Sequence, residues 1–249
     1  MPVKYTPILS LDQQQGREDC PLPYMTNIAG PLANLQSDLH WHMHDLSRFQ
    51  QVVLGDLNER NVEFEKQYQL FQESVKKALS SVSDEDEMET LNYQTSRTGS
   101  YFINQGLVID RCKAFSDEFC VIGLWATAEK FLGKVYAHIE SYQSGGNIDD
   151  VNAPYRWDII EAKYIEKNIH LNQLPGYADA DECRVLNNTI KHAGYVNQRL
   201  AQFPFFTQYQ GTELTNIQYE MQRYYNGIWE FLGSLIESGN RVVDPSFPY

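Results

Sequence analysis

The sequence predicts an all-α fold, arranged as a helical bundle with a long N-terminal helix or helical hairpin. Three observations carry this prediction. Apolar residues recur every three or four positions over most of the chain, which is the spacing of one helix face. No segment shows the alternating β-branched pattern of a strand. The chain has 249 residues, of which 42% are hydrophobic, and it can therefore bury a substantial core in one large domain or two packed lobes.

The N-terminal half divides into an irregular arm and a helical region. Residues 1–29 contain four prolines and little periodicity, which predicts an arm rather than a domain. Residues 30–106 are predicted to form one long helix, or a helical hairpin that breaks near Gly55. The apolar stripe of this region comprises Leu32, Leu35, Leu39, Met43, Leu46, Phe49, Val53, Leu57, Phe64, Tyr68, Phe71, Val75, Leu79 and Val82.

An acidic run and a glycine-containing segment follow this stripe. Ser83 precedes four consecutive acids, which fits a helix start because carboxylates favour the positive end of the helix dipole. A solvated acidic turn is the alternative. Residues 92–106 contain Gly99 and Gly106 and are predicted to be a connection, where we place a lobe boundary.

Residues 107–249 are predicted to form a bundle of four helices. Each helix is bounded by a capping residue, a proline or a glycine. The expected ranges are about 116–144, 154–165, 179–191 and 212–239.

Charge and cysteine usage restrict the partners and the compartment. The formal net charge of −13 repels phosphate backbones, so we expect no DNA partner and treat RNA as disfavoured. The four cysteines, one of them Cys20, contain no CxxC pair, which argues against a disulfide framework and a zinc cluster. The start of the chain lacks the apolar segment of a secretory signal, and no window approaches the roughly 20 apolar residues of a membrane span. These features predict a cytoplasmic protein without membrane contact.

A polar stripe marks the third helix of the C-terminal bundle. Residues four apart share a helix face, so Arg184, Asn188 and His192 are predicted to stand in one file. An imidazole that titrates near neutral pH and a guanidinium can together bind a phosphodiester and cleave it by acid–base chemistry. In the alternative interpretation, His192 complements the helix dipole and bonds to the terminal carbonyls.

The segment Leu186–His192 resembles the HEPN superfamily of helical bundles, together with the helix at 121–132 and the long helix from about residue 212. The resemblance covers about residues 107–240. It implies a four- or five-helix bundle that is often dimeric and needs no cofactor. Many members are metal-independent endoribonucleases in toxin–antitoxin, antiphage and RNA-processing systems, so the resemblance implies a role in bacterial defence or stress response.

The family motif joins an arginine, usually followed by a polar residue, to a histidine after four to six intervening positions. His192 matches the histidine, whereas seven residues separate it from Arg184. At the register that the motif prefers, Asn187 stands in the arginine position and Asn188 in the polar position. The resemblance thus implies a binding role in which Asn187 and Lys191 contact RNA or a partner.

A histidine pair on the N-terminal helix is the second candidate site. His40 and His44 are spaced i, i+4, and a pair at this spacing can chelate zinc or nickel. No second cluster of ligand residues accompanies them. We expect no bound metal and interpret both histidines as side chains that flank the core positions Leu39 and Met43.

Three functional hypotheses follow from the sequence. The preferred one is a non-catalytic or weakly catalytic HEPN-like module that forms a homodimer and binds protein first and RNA second. The enzyme alternative is a metal-independent endoribonuclease that uses His192 with Arg184 and Asn188. The third hypothesis is an unrelated helical scaffold in which residues 31–82 form a coiled-coil-like arm.

Overall fold

A computed structural model of the chain describes residues 4–16 and 30–246. Six α-helices occur in these ranges, and the all-α prediction is confirmed. The helices are α1 (Leu11–Gln14), α2 (Ala33–Ser81), α3 (Glu85–Ser144), α4 (Trp157–Glu166), α5 (Tyr177–His192) and α6 (Met221–Val243). Of the predicted arm, residues 1–3 and 17–29 lie outside the described residues.

Both long helices continue through positions where the sequence analysis had placed a break or a connection. α2 continues through Gly55 without a break, and α3 continues through residues 92–106, so the expected connection there is wrong. Ser116 lies inside α3 and does not cap a helix. An isolated glycine costs a helix only about 1 kcal/mol. A Cβ at Gly106 would make an ordinary van der Waals contact, 3.6 Å from the ring of Phe64 on α2.

The acidic run begins a helix, as one of the two sequence interpretations expected. Residues 82–84 connect α2 to α3. The carboxylate of Asp84 accepts hydrogen bonds from the N–H groups of Asp86 and Glu87, at 3.0 and 3.2 Å. Asp84 therefore caps α3 in the place expected for Ser83, and the following acids lie at the positive end of the helix.

The chain divides into two compact units. The hairpin unit comprises residues 4–7 and 51–116, and the bundle unit comprises residues 8–16, 30–50 and 117–246. Both α2 and α3 contribute residues to each unit. No helix in the described parts of the chain has the length and apolar content needed to span a bilayer.

In the hairpin unit, α2 and α3 run antiparallel and share one apolar seam. The seam has the alternating three- and four-residue spacing of a coiled coil. The rings of Phe64 and Phe71 lie 6.0 and 5.2 Å from the ring of Phe102, between centroids. The buried or half-buried seam residues are Leu54, Leu57, Asn61, Phe64, Tyr68, Phe71, Val75, Ala78, Leu91, Thr95, Gly99, Phe102, Gly106 and Ile109.

The N-terminal segment, residues 4–7, is hydrogen-bonded to the open end of this hairpin. The backbone N–H of Tyr5 donates to Oδ1 of Asn58 at 2.8 Å, and the Tyr5 hydroxyl donates to Oδ1 of Asp110 at 3.0 Å. Burial, reinforced by Asp110, raises the pKa of the Tyr5 phenol to about 12. Tyr5 therefore stays protonated and links α2 to α3 throughout the physiological pH range.

The bundle unit contains the main hydrophobic core. Its fully buried large side chains include Leu39, Leu124, Phe131, Tyr164, Phe206, Tyr224 and Phe231. The Tyr164 hydroxyl donates to the backbone carbonyl of Leu132 at 2.6 Å, and the N–H of Leu32 donates to Oδ1 of the buried Asn240 at 2.8 Å. These bonds satisfy polar groups that would otherwise be costly to bury.

The C-terminal helices follow the sequence prediction closely except at the start of α6. The predicted helix began near residue 212, but α6 begins at Met221, and Leu214–Asn216 forms a short 3-10 turn instead. Leu214 and Ile217 are buried, and the N–H of Leu214 donates to the carbonyl of Gly194 at 3.0 Å. An irregular loop thus buries apolar residues at a helical spacing, and spacing alone does not distinguish the two conformations.

Glycines allow α5 and α6 to cross closely. Gly176 precedes α5 with φ of 74°, a conformation that favours glycine, and a Cβ there would lie 2.4 Å from the carbonyl oxygen of Gly227. A Cβ on Gly227 would lie 2.3 Å from Cβ of Asp179. The two backbones therefore approach at a distance that a side chain at either position would prevent.

We expect Gly227→Ala to lower the free energy of unfolding of the bundle unit by about 2 kcal/mol, because the added methyl group overlaps Asp179. Gly233→Ala on the same helix is the matched control, since its Cβ would meet only Nε2 of Gln36 at 3.9 Å; it should be neutral or stabilising by up to about 1 kcal/mol. Urea unfolding followed by tryptophan fluorescence measures both. Equal effects of the two substitutions would contradict the close crossing.

Tryptophan fluorescence is specific for this unit. The chain contains four tryptophans, and all of them belong to the bundle unit. They are Trp41, Trp125, Trp157 and Trp229.

Candidate functional site

The predicted site residues of α5 do not form one solvent-facing group. Arg184 and Asn187 are buried, whereas Asn188, Lys191 and His192 are exposed. A reactive site requires its groups to converge on one place where a substrate atom fits. The helix places the guanidinium among core residues and the imidazole in solvent.

Arg184 makes contacts that are all internal to the bundle unit. Its Nε donates to Oδ1 of Asp181 at 2.9 Å, and its guanidinium carbon lies 4.8 Å from the centroid of the Trp157 ring. The ring of Trp157 in turn meets the ring of Trp125 edge-on, with centroids 5.6 Å apart. Arg184 is therefore paired, stacked on an aromatic face and 7% exposed, so its contacts join α5 to α4.

Asn187 is buried in the core, 1% exposed. Its Nδ2 lies 3.4 Å from Oδ1 of Asn188, and its Oδ1 has no hydrogen-bond partner in the described part of the chain. A buried amide oxygen without a partner costs about 1–3 kcal/mol. Of the two residues assigned to partner contact, Lys191 lies at the surface and Asn187 does not.

His192 is the last residue of α5 and lies in solvent. The N–H groups of Ala193 and Gly194 both donate to the carbonyl of Thr189, at 2.9 and 3.0 Å, and Gly194 has φ of 71°. The backbone thus closes the helix end without an imidazole. Within residues 4–16 and 30–246, no hydrogen bond or ion pair involves the His192 ring.

We expect Arg184→Ala to reduce the free energy of unfolding of the bundle unit by about 2 kcal/mol, since it leaves Asp181 unpaired and removes the cation–π contact. His192→Ala should change it by less than about 0.5 kcal/mol, as is usual for an exposed side chain. Urea unfolding followed by tryptophan fluorescence measures both. A neutral Arg184→Ala would show that the internal contacts of the guanidinium contribute little to the fold.

His40 and His44 interact with different groups. Nε2 of His40 lies 3.4 Å from Oδ2 of the buried Asp12 on α1, and its ring meets that of Trp229 edge-on. Nδ1 of His44 lies 3.6 Å from Oδ1 of Asp45, and its ring contacts Trp41. The described residues contain no group of three or more His, Cys, Asp or Glu that would hold a metal ion.

A carboxylate network at the α5–α6 crossing was missed by the sequence analysis. Arg223 donates to Oε1 of Glu182 at 2.6 Å and to Oε2 of Glu220 at 2.8 Å, and it also pairs with Asp179. The Tyr224 hydroxyl donates to the same Oε1 of Glu182 at 2.6 Å. Burial, followed by the charge of Glu182, raises the pKa of the Tyr224 phenol far above its usual range.

The ion pairs of this network join α5 to α6. The hydrogen bonds from Glu182 and Asp179 raise the pKa of Arg223, although burial alone would lower it. Arg223 is therefore permanently charged and saturated with carboxylates. The acids at i and i+3 on α5 were visible in the sequence, but their pairing with a residue about forty positions later is a tertiary contact.

The hairpin unit contains an apolar groove with a cavity of about 640 Å³. One edge is formed by α3, where Tyr101, Gln105, Val108 and Cys112 follow each other at four- and three-residue intervals. The other edge is formed by α2, and Leu57, Phe64, Phe102 and Ile109 of the seam form its floor. The α2 edge comprises Val52, Val53, Asp56, Arg60, Glu63 and Gln67.

The α3 edge of this groove is an exposed apolar stripe. Tyr101, Val108 and Phe115 recur every seven residues and are 56%, 53% and 58% exposed. Cys112 lies between the last two and is also exposed. This stripe borders the seam, because Tyr101 and Val108 line the same groove as the seam residues Phe102 and Ile109 and occupy the heptad positions beside them. Its spacing is visible in the sequence, but the prediction of a connection at residues 92–106 obscured it.

The cysteines differ in environment. Burial, with a smaller contribution from Asp117, raises the pKa of the Cys120 thiol to about 12. Burial also raises the pKa of Cys183, in the core beside Glu182. Cys20 lies outside the described residues. Since only the thiolate is nucleophilic, raised pKa values suppress the reactivity of both buried thiols.

We expect a Cys20→Ser variant, diluted below the micromolar range, to contain one fast-reacting thiol, Cys112, when treated with a disulfide reagent at pH 8. Cys120 and Cys183 should react only after unfolding, because a folded thiol whose pKa is raised releases its proton at higher pH than an unfolded one. Absorbance of the released thiolate, followed with and without urea, counts the reactive groups. Three fast thiols in the folded protein would contradict the burial of Cys120 and Cys183.

Comparison of the chain with models of protein families, with curated proteins and with solved structures finds no match. The HEPN resemblance of residues 107–240 therefore stays a prediction.

Proposed function

We propose that this chain is a non-catalytic helical module that binds protein and assembles as a homodimer. The observation that carries the proposal is the apolar stripe Tyr101, Val108 and Phe115, which borders the groove of the hairpin unit. Apolar surface in water costs about 25 cal/mol per Å². Contiguous exposed apolar patches with polar edges mark sites of protein interaction.

The geometry of α5 supports a role other than catalysis. A general acid or base acts within hydrogen-bond reach of the reacting group, beside a group that stabilises the developing charge. The guanidinium of Arg184 is held by Asp181 and Trp157 inside the bundle unit, while His192 is exposed at the end of the helix. RNA binding, predicted for Asn187 and Lys191, is a secondary role for which only Lys191 lies at the surface and which the net charge of −13 opposes.

The cellular setting of the proposal comes from the HEPN resemblance. Some members of that superfamily lack the catalytic arginine and act as binding or structural domains, so likeness of fold does not carry activity with it. A cytoplasmic module in a bacterial defence or stress response would fit this class.

Self-association of the full chain tests the proposal. We expect light scattering to give a mass near 58 kDa at micromolar concentrations, twice the 28.8 kDa of one chain, with dissociation on dilution. The exposed stripe is the physical reason, since pairing removes it from water. A mass of 28.8 kDa at every concentration up to the millimolar range would contradict the homodimer.

An RNA cleavage assay tests the absence of catalysis. We expect no cleavage when the purified chain is incubated with mixed cellular RNA and a chelator, because Arg184 and His192 do not converge. His192→Ala serves as the matched control and should behave identically. Cleavage that His192→Ala abolishes, with helical content unchanged by circular dichroism, would instead favour an endoribonuclease that uses His192, Arg184 and Asn188.

A further inference from the structure

We infer that the second copy docks on the groove of the hairpin unit, with the two α3 helices antiparallel about a two-fold axis near residue 110. This inference rests on the proposed homodimer and adds the surface and the orientation. The surface lies outside α5, where the sequence had placed the site.

The groove has the dimensions of a helix-binding surface. Its edges span residues 52–67 of α2 and 101–112 of α3, which correspond to about 22 and 16 Å of helix at 1.5 Å per residue. Three turns of a third helix fit along this length. Apolar side chains line its bottom and most of its α3 edge, and polar ones most of its α2 edge, as in grooves that accept an amphipathic helix.

The α3 stripe is complementary to a second copy of itself. In an antiparallel pair of helices, positions on either side of the two-fold axis face each other. An axis near residue 110 places Val108 of one copy opposite Cys112 of the other, and Gln105 of one copy opposite Phe115 of the other. The small Val108 and Cys112 meet at the centre, and the amide of Gln105 covers the ring of Phe115 at each end.

The local charge favours an identical copy over an oppositely charged partner. Residues 51–67 and 99–116 contain five acidic and four basic side chains, a net charge of −1, so the remaining −12 of the net −13 lies elsewhere in the chain. A basic partner would be recognised by an acidic rim, and a nucleic acid by a basic one. On the α2 edge, Arg60 donates to Asp56 at 2.7 Å, so this rim neither attracts polyions nor repels its copy.

The area of the groove fits a reversible dimer. A standard interface buries roughly 800 Å² per partner over 20–30 residues, or about 30 Å² per residue. Three of the 14 residues that line the groove are already buried, and the other 11 then correspond to roughly 650 Å² for two copies together, the size class of weak, transient complexes. We therefore expect association that depends on concentration in the micromolar range.

Matched glutamate substitutions test the surface. Val108 in the groove and Val62 outside it are both half exposed, at 53% and 58%, and both lie inside long helices. Val108→Glu should weaken self-association at least tenfold in sedimentation equilibrium, because it places a carboxylate opposite Cys112 of the other copy. Val62→Glu should leave it unchanged. Circular dichroism verifies that both variants retain the helical content of the wild type.

Disulfide trapping tests the orientation. In a Cys20→Ser background, a Val108→Cys, Cys112→Ser variant is mixed with the chain that keeps Cys112. The antiparallel pair predicts a mixed disulfide that joins residue 108 of one copy to residue 112 of the other, in preference to like-with-like products. A parallel pair in register would instead trap each variant with itself.

The outcomes distinguish this inference from the proposed function. Loss of dimer in Val108→Glu, retention in Val62→Glu and the mixed disulfide support both. A dimer that survives Val108→Glu, or that yields only like-with-like disulfides, overturns the inferred docking and leaves the homodimer in place. A wild-type chain that stays monomeric overturns both, and protection of Cys112 from alkylation in that monomer would show that another occupant covers the groove.

Discussion

Two antiparallel helices can bury only the seam between them, and this constraint governs the hairpin unit. The seam uses one stripe of each helix, where Phe64 and Phe71 meet Phe102 and where Gly106 lies opposite Phe64. Any further apolar side chain on either helix remains in water unless something else covers it. Tyr101, Val108 and Phe115 are such side chains, and their regular spacing gives the unit a second apolar face. An all-α chain that keeps such a face has a surface suited to assembly with another helix.

The bundle unit pairs the guanidinium groups of Arg184 and Arg223 internally. Arg184 is paired with Asp181 and stacked on Trp157, and Arg223 is surrounded by Glu182, Asp179 and Glu220. Charged groups of this kind resemble catalytic groups in sequence, because both classes bring arginine, glutamate and tyrosine together. Structural and catalytic charged groups differ in the partner of the charge, which is the chain itself in the first class and a substrate in the second. Here both guanidinium groups face carboxylates of their own chain, while Trp157 joins Arg184 to α4 and the carboxylates of α5 join Arg223 to that helix.

A second feature of the bundle unit is the close approach of the α5 and α6 backbones. Gly176 and Gly227 let α5 and α6 cross without intervening side chains, and this brings Asp179 and Glu182 within reach of Arg223. The buried network and the glycine contact are therefore parts of one arrangement. The same crossing fixes the direction of α5, so that Arg184 points toward α4 while His192 ends in solvent. The position of the candidate site residues thus follows from the packing of two helices.

The sequence by itself determined the helical class and, within a few residues, the ranges of α4 and α5, because helix periodicity and capping act between residues a few positions apart. It left open whether the acidic run begins a helix, and its α2 stripe is wrong at Phe49 and Leu79, which are 50% and 40% exposed. It did not determine the continuity of α3 through residues 92–106, the late start of α6 at Met221 or the direction of Arg184. These depend on partners far along the chain: Phe64 opposite Gly106, Gly194 bonded to Leu214, and Trp157 beneath a guanidinium. Local rules give the energy of a turn of helix, whereas only the packed structure decides which face of that turn meets protein and which meets water.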